Sequence, residues 1–130
     1  LYAFGRRLAA RTRDAAGASA AAGGDAHGHH GALHDHAIVV GFGPTGRTIA
    51  AGLQTLGIPF VVSEMNANTV RAEKDQGMPI VLSDCTRISA LQALGVERAR
   101  IVVLAVNDSA ATSRIAQLCR QLAPDAHVLA

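Results

Sequence analysis

Three glycines in residues 41–46, GFGPTG, stand at the spacing G-x-G-x-x-G directly after an apolar run. Between a strand and a helix, this spacing lets backbone N–H groups approach a pyrophosphate. Gly41 then allows the tight turn, Gly43 lets the phosphate come close, and Gly46 lets the helix pack against the strand. The other interpretation is a tight turn that binds nothing. Polar groups at the same edge of the sheet would favour the first interpretation.

A glutamate follows the second apolar run at the distance expected of a ribose-binding acid. Glu64 comes 18 residues (46 to 64) after Gly46. An acidic side chain at this place accepts hydrogen bonds from both ribose hydroxyls, and its charge repels a 2′-phosphate. The glycines and Glu64 together therefore favour NAD(H) or an adenine nucleotide as the ligand over NADP(H).

More polar residues follow the third and fourth apolar runs. Asp84 comes shortly after the third predicted strand, and Asn107 and Asp108 follow the fourth. Ligands of parallel sheets bind at the carboxyl ends of the strands, where these residues gather. Helix N-capping explains each of the three equally well, and it is compatible with ligand contact. The predicted binding residues are Gly41, Phe42, Gly43, Pro44, Thr45, Gly46, Glu64, Met65, Asp84, Cys85 and Asn107.

No catalytic group accompanies the predicted site. Between Gly41 and His127 there is no histidine, and the single lysine, Lys74, falls on a predicted helix. A dehydrogenase needs a general acid or base beside its nicotinamide. We therefore predict a protein that senses its ligand rather than an enzyme. Cys85 could serve redox sensing, but a small buried side chain is the favoured interpretation.

Short apolar runs alternate with amphipathic segments from residue 37 onward. Such runs are typical of parallel strands covered by helices on both faces. The predicted fold is α/β, a doubly wound, Rossmann-like sheet of order 3-2-1-4-5 that lacks its last helix and strand. Strands are predicted at 38–41, 60–63, 80–82, 101–106 and 127–130; helices are predicted at 45–56, from Asn66 to about 76, from about 89 to 95, and from Asn107 or Asp108 to about 122.

Composition divides the chain in two. Residues 1–36 hold eleven Ala, six Gly and five of the six His, so they are predicted to be a flexible linker before a domain at 37–130. The histidines of "HGHHGALHDH" lack the fixed geometry of a metal site, so none is predicted. The net charge is only +2 and no basic stripe is present, which argues against nucleic acid as a partner.

From about residue 35 onward the chain resembles the RCK, or Trk-type N-terminal, domains that regulate bacterial potassium transport. The resemblance rests on "HAIVVGFGPTGRTIAAGL" and on "IVLSDCTRISALQALGV", which is similar to the G-D-A-T segment of that family. Asp84 and Thr86 match that segment, whereas Ser83 and Cys85 depart from it. The segment "AVNDSAATSRIAQLCRQLAPDAHVLA" looks most like the cytoplasmic domain of Kef-type cation:proton antiporters.

This resemblance implies that an AMP-, ATP- or NAD(H)-like ligand lies among Gly41, Gly43, Gly46, Glu64 and Asp84. It also implies a homodimer, a membrane antiporter domain in the same parent chain, and a location on the cytoplasmic face of the bacterial inner membrane. Two alternatives stay open: a soluble regulatory subunit of a Trk-type potassium uptake system, and an NAD-binding fragment of a dehydrogenase.

Overall fold

The computed structural model describes residues 33–130, in which strands and helices alternate. The strands are β1 (Ala37–Val40), β2 (Phe60–Glu64), β3 (Ile80–Leu82), β4 (Ile101–Leu104) and β5 (His127–Leu129). The helices are α1 (Pro44–Leu56), α2 (Ala67–Asp75), α3 (Ile88–Ala93) and α4 (Ser109–Leu122), with a short 3-10 turn at Val96–Arg98.

The strands form one parallel sheet of order β3-β2-β1-β4-β5. The predicted fold class and strand order are therefore confirmed. β1 lies at the centre, and all four of its residues are buried. Because the strands are parallel, the segments that follow β1, β2, β3 and β4 all leave the sheet at the same edge, which we call the carboxyl edge.

Each face of the sheet carries its own hydrophobic core, since successive strand residues point to opposite faces. Ala37 and Val39 pack in one core with Ala50 of α1 and Val70 of α2. The other core holds the side chains of Ile38, Val40, Leu91, Ile115 and Leu118. A fully buried side chain of this size stabilises the fold by about 1.5–3 kcal/mol. Packing on both faces of the sheet therefore fixes the positions of the strand ends at the carboxyl edge.

Capping residues that the sequence predicts mark where the helices begin and end. Gly57 adopts a left-handed conformation (φ 70°) and closes α1, and Asn66 caps α2 by accepting from the N–H groups of Asn68 and Thr69. Asp108, not Asn107, caps α4, through a 3.0 Å hydrogen bond from the N–H of Ala111. β4 ends two residues earlier than predicted, at Leu104.

The folded part of the chain begins earlier than the predicted boundary at Ala37. Leu33 is 4% exposed and lies in the core beneath α3 and α4, and His36 is fully buried. Residues 33–36 therefore belong to the packed domain rather than to a linker. Most of the predicted linker, residues 1–32, lies outside the described residues. Within residues 33–130, no helix combines the length and the hydropathy needed to cross a membrane.

Candidate functional site

The three glycines of the loop between β1 and α1 meet different surroundings. Gly41 has φ +98°, and a Cβ there would lie 2.6 Å from the carbonyl oxygen of Ala105. A Cβ on Gly46 would overlap the carbonyl oxygen of Gly41. Around a Cβ on Gly43, in contrast, no atom of residues 33–130 other than those of the adjoining residues lies within 4 Å. The fold itself thus requires glycine at 41 and 46, while at Gly43 glycine leaves open space above the backbone.

The loop ends in a helix N-terminus without a side-chain cap. Gly43 is the N-cap residue, and Pro44 occupies the first turn, where its missing N–H costs nothing. The N–H groups of Gly43, Thr45 and Gly46 have no acceptor among residues 33–130. Free N–H groups at the positive end of a helix dipole attract an anion. The loop therefore offers several donors to one negatively charged group.

Glu64 connects the end of β2 to this loop. Its Oε1 accepts a hydrogen bond from the N–H of Phe42 at 3.2 Å, and its Oε2 accepts from the N–H of Met65 at 2.8 Å. The N–H of Gly41 also donates to the carbonyl of Ser63 at 2.8 Å. The carboxylate is thus fixed beside the glycines, as the spacing predicts. It remains partly exposed, so its outer face can still accept from a ligand.

Asp84 lies at the neighbouring strand end but does not cap a helix. Its Oδ1 accepts from the N–H and the hydroxyl of Thr86, at 3.0 and 2.6 Å. These two hydrogen bonds hold the pKa of the Asp84 carboxyl below its ordinary value, with a smaller contribution from the charge of Arg87. The N-cap of α3 is Arg87, which makes no side-chain cap. Helix capping is therefore wrong as the explanation of Asp84.

The predicted binding residues lie at neighbouring strand ends along the carboxyl edge. The N–H of Ser83 donates to the carbonyl of Glu64 at 3.0 Å, and Ala105 lies against Gly41. Asn107 is exposed after β4 and makes no hydrogen bond within residues 33–130. Of the predicted residues, those exposed are Gly43, Pro44, Thr45, Met65 and Asn107; those partly buried are Glu64 and Asp84; those buried are Gly41, Phe42, Gly46 and Cys85.

The TrkA-N domain family matches residues 37–130, a range that includes the whole of the sheet and its carboxyl edge. This chain belongs to the TrkA-N family. A glutathione-regulated potassium-efflux system protein of Haemophilus influenzae is 30% identical over 97 residues, which are 75% of this chain. The chain spans only 16% of the length of that relative. The predicted resemblance to RCK and Kef-type domains is therefore confirmed.

Solved structures share the TrkA-N fold. The TrkA-N domain of the inner membrane protein YbaL from Escherichia coli is 25% identical, with a TM-score of 0.70, over 74% of this chain and 71% of that chain. The GsuK channel bound to NAD has a TM-score of 0.66 at 23% identity, over 74% of this chain and 17% of that one. The AMP-bound Kef CTD of Shewanella denitrificans has a TM-score of 0.63 at 18% identity, over 72% and 55%.

The two departures from the G-D-A-T segment are accommodated in this TrkA-N domain. Ser83 does not have a positive φ, so glycine is not required there. Cys85 is 3% exposed, and its Sγ donates to the hydroxyl of Ser63 at 3.1 Å. That hydroxyl also lies 2.6 Å from the hydroxyl of Ser83. The three side chains join β2 to the segment after β3, just beneath Glu64 and Asp84.

Cys85 is predicted to resist thiol reagents in the native domain. Burial raises the pKa of its thiol to about 11, because the thiolate loses hydration. Burial also raises the pKa of Cys119, which is fully buried. At pH 8 we therefore expect a thiol reagent such as 5,5′-dithiobis(2-nitrobenzoate) to label neither cysteine in native protein and both in denaturant. Fast labelling of native Cys85 would contradict its inert role and support redox sensing.

Arg47 and His36 are the two features that sequence reasoning missed. Arg47 contacts Phe42 of the loop and Glu73 of α2, and Glu73 is too far away in the sequence to be paired with Arg47 from spacing. His36 lies in the core rather than in a histidine-rich tether. Among residues 33–130, no group of three or more His, Cys, Asp or Glu is placed to hold a metal ion. The remaining histidines of the predicted linker, His27, His29 and His30, fall outside the described residues.

Proposed function

We propose that this TrkA-N domain is a regulatory, nucleotide-binding domain of a bacterial Kef-type potassium or cation:proton antiporter. The observation that supports this most is the loop at residues 43–46. Its free N–H groups are available to an anion, and they lie near a partly exposed acid, Glu64. The similarity to a potassium-efflux protein favours the antiporter over an uptake subunit. The membrane domain would belong to the same parent chain, and the TrkA-N domains would pair as a homodimer on the cytoplasmic face.

The proposed ligand is AMP, ADP, ATP or NAD(H). Its phosphate would lie over Gly43 and accept from the free N–H groups at the start of α1. Glu64 would accept from the ribose hydroxyls, and Asp84, Met65 and Asn107 would border the rest of the ligand. A 2′-phosphate would meet the Glu64 carboxylate, so we propose that NADP(H) is disfavoured. The NAD-bound GsuK channel and the AMP-bound Kef CTD, which share this fold, support an adenine nucleotide.

The carboxyl edge supports sensing over catalysis. Within residues 33–130, the histidines lie before β1 or at the start of β5, and Lys74 is an exposed residue near the end of α2. None of these groups follows a strand beside the loop, where general acid or base catalysis would need it. A ligand held there would act by binding one arrangement of the dimer more tightly than another. The attached antiporter would then be biased by that difference in affinity.

Binding is tested by thermal unfolding and isothermal titration calorimetry of the 130-residue chain with AMP, ADP, ATP, NAD, NADH and NADPH. A ligand at one hundred times its dissociation constant should stabilise the fold by about 2.7 kcal/mol. We expect at least one of the first five nucleotides to do so. A response to NADPH alone would contradict the assignment of Glu64, and a response to none would overturn the proposed function.

Glu64→Gln should separate the ribose contact from the phosphate contact. Removing a charge-assisted hydrogen bond costs about 1.5–3 kcal/mol, so affinity for AMP or NAD should fall roughly 10- to 150-fold. The matched control is Glu97→Gln, an exposed acid on the 3-10 turn before β4. Wild-type affinity in the Glu64 variant, measured by the same titrations, would show that the site has been placed wrongly.

A further inference from the structure

Arg47, in the first turn of α1, joins the glycine loop to α2. Its Nη1 donates to Oε1 of Glu73 at 2.6 Å. Its guanidinium carbon lies 4.6 Å from the centre of the Phe42 ring, within the range of a cation–π contact. Phe42 stands between Gly41 and Gly43, so Arg47 touches the loop residue that separates two of the glycines.

Two of the three side chains in this contact, those of Phe42 and Glu73, are buried. Phe42 is 4% exposed and packs in the core between the sheet and the helices α1 and α2. Glu73 is 8% exposed, and a carboxylate so far out of water needs a partner. Arg47 is its only ion-pair partner within residues 33–130. The side chain of Arg47 is about half exposed, but its charged end is already engaged by the carboxylate and the ring.

We propose that Arg47 is a positioning residue that sets the glycine loop in its binding conformation through Phe42; this rests on the nucleotide-binding role proposed above. Arg47 contacts the ring of Phe42, and the N–H of Phe42 donates to the Glu64 carboxylate at 3.2 Å. Phe42 thus links Arg47 to both the anion-binding loop and the ribose-binding acid, Glu64. A loop ordered before binding loses less conformational freedom when the nucleotide arrives.

A different role for Arg47 would be direct contact with the nucleotide phosphate. The two roles make opposite predictions for Glu73. If Arg47 acts by positioning, removing the Glu73 charge releases Arg47 from the ring and loosens the loop. If Arg47 binds phosphate directly, removing that charge frees the guanidinium for the ligand and leaves affinity equal or higher. Glu73→Gln, which keeps the shape of the side chain, therefore separates them.

The test compares Arg47→Met, Glu73→Gln, the double variant and Arg47→Lys in the 130-residue chain. Arg71→Met is the matched control, since Arg71 is exposed on α2 and its side chain makes no ion pair or hydrogen bond within residues 33–130. Amide hydrogen exchange of Gly41 and Phe42, the loop residues whose N–H groups donate to Ser63 and Glu64, is measured without ligand, and affinity for AMP, ATP and NAD is measured by calorimetry. Thermal unfolding verifies that each variant is folded.

We expect faster exchange in the loop and a roughly threefold to tenfold loss of affinity in both single variants. The double variant should be no weaker than either single one, because both remove the same contact. Arg47→Lys, which keeps the charge, should recover most of the affinity, and Arg71→Met should change neither measurement.

Two outcomes would overturn the positioning role. They are unchanged loop exchange in Arg47→Met and Glu73→Gln, or a loss of affinity in Arg47→Met that Glu73→Gln does not share. The failure of nucleotide binding is a separate result. If wild-type protein binds no nucleotide while the two variants still speed exchange of Gly41 and Phe42, the proposed function fails but the control of the loop by Arg47 stands.

Discussion

Gly43→Ala should abolish most nucleotide binding while leaving the domain folded. Its φ of −76° suits alanine, and beyond the adjoining residues the added methyl group meets no atom of residues 33–130 within 4 Å. The cost to the fold is that of alanine at an N-cap, about 1 kcal/mol or less. The methyl group would instead occupy the space proposed for the phosphate. We expect affinity for AMP or NAD to fall roughly 10- to 100-fold, the loss of a charge-assisted hydrogen bond or more.

Gly46→Ala should act on the fold rather than on the ligand. Its Cβ would overlap the Gly41 carbonyl oxygen, which is backbone and cannot rotate aside. Relief requires α1 to move away from β1, which we expect to cost about 3 kcal/mol or more in the free energy of unfolding. Chemical denaturation of each variant, followed by circular dichroism, measures that free energy.

Gly52→Ala is the matched control for both variants. Gly52 is exposed on the same helix, and beyond the nearby backbone of that helix a Cβ there meets no atom of the described residues within 4 Å. Because alanine favours a helix over glycine, this variant should be more stable than wild type by about 0.5–1 kcal/mol. A Gly46→Ala protein as stable as wild type would contradict the close packing of α1 on the loop. A Gly43→Ala protein with wild-type affinity would show that the phosphate is not bound there.

The sequence predicts the fold well because its signals are short-range. An apolar strand, a capping Asn66 and a closing Gly57 each act within a few residues, so they can be read without knowing the packing. The glycine spacing also predicts the loop, and Glu64 falls beside it because parallel strands end together. The polar groups of the candidate site follow from the order of the strands.

Contacts between distant residues could not be predicted in the same way. Arg47 and Glu73 are 26 residues apart, and the hydroxyls of Ser63 and Ser83 are 20 apart. Which side chains meet across two elements depends on the relative shift and rotation of those elements, which no local pattern encodes. The choice between Asp108 and Asn107 as the cap of α4 fails for a related reason. Both types are good N-caps, and the start of the helix decides between neighbours.

The largest difference between sequence and structure concerns His36. In the sequence it closes a histidine-rich stretch, but in the structure it is fully buried before β1. Its Nε2 lies 2.8 Å from the carbonyl oxygen of Leu94, and its Nδ1 has no hydrogen-bond partner within residues 33–130. The backbone on either side is tied to the segment before β4: the N–H of Asp35 donates to Arg98, and the carbonyl of His36 accepts from Arg100.

This geometry favours the neutral imidazole. The pKa of His36 is lowered from 6.5, mainly by burial, and the charges of Arg98 and His34 lower it further. The hydrogen bond to Leu94 and the charge of Asp35 act in the opposite direction. A proton bound to Nδ1 would be a buried donor without an acceptor. The unfolded chain carries no such penalty, so it takes up this proton at a higher pH than the native protein.

The native domain is therefore expected to lose stability as the pH falls below about 6.5, the ordinary pKa of histidine. The sign follows from proton uptake by the unfolded chain: the stabilisation is complete above pH 6.5 and declines until the pH reaches the lowered pKa of the native protein. Within that window the slope cannot exceed about 1.4 kcal/mol per pH unit, the limit for uptake of one proton. Asp84 contributes a second loss of stability at lower pH. Because its pKa is lowered in the native protein, that loss begins as the pH falls below the ordinary pKa of an aspartate.

Urea unfolding between pH 7.5 and 4.5 measures this slope in wild type, His36→Gln and His127→Gln. His36→Gln keeps a donor for the Leu94 carbonyl but cannot take up a proton, so its stability should change little from pH 7 to 5, although it starts lower. His127 is exposed at the start of β5, so its variant should retain the wild-type slope. If His36→Gln and wild type lost stability in parallel over this range, the buried imidazole would not be the group that makes the domain acid-sensitive.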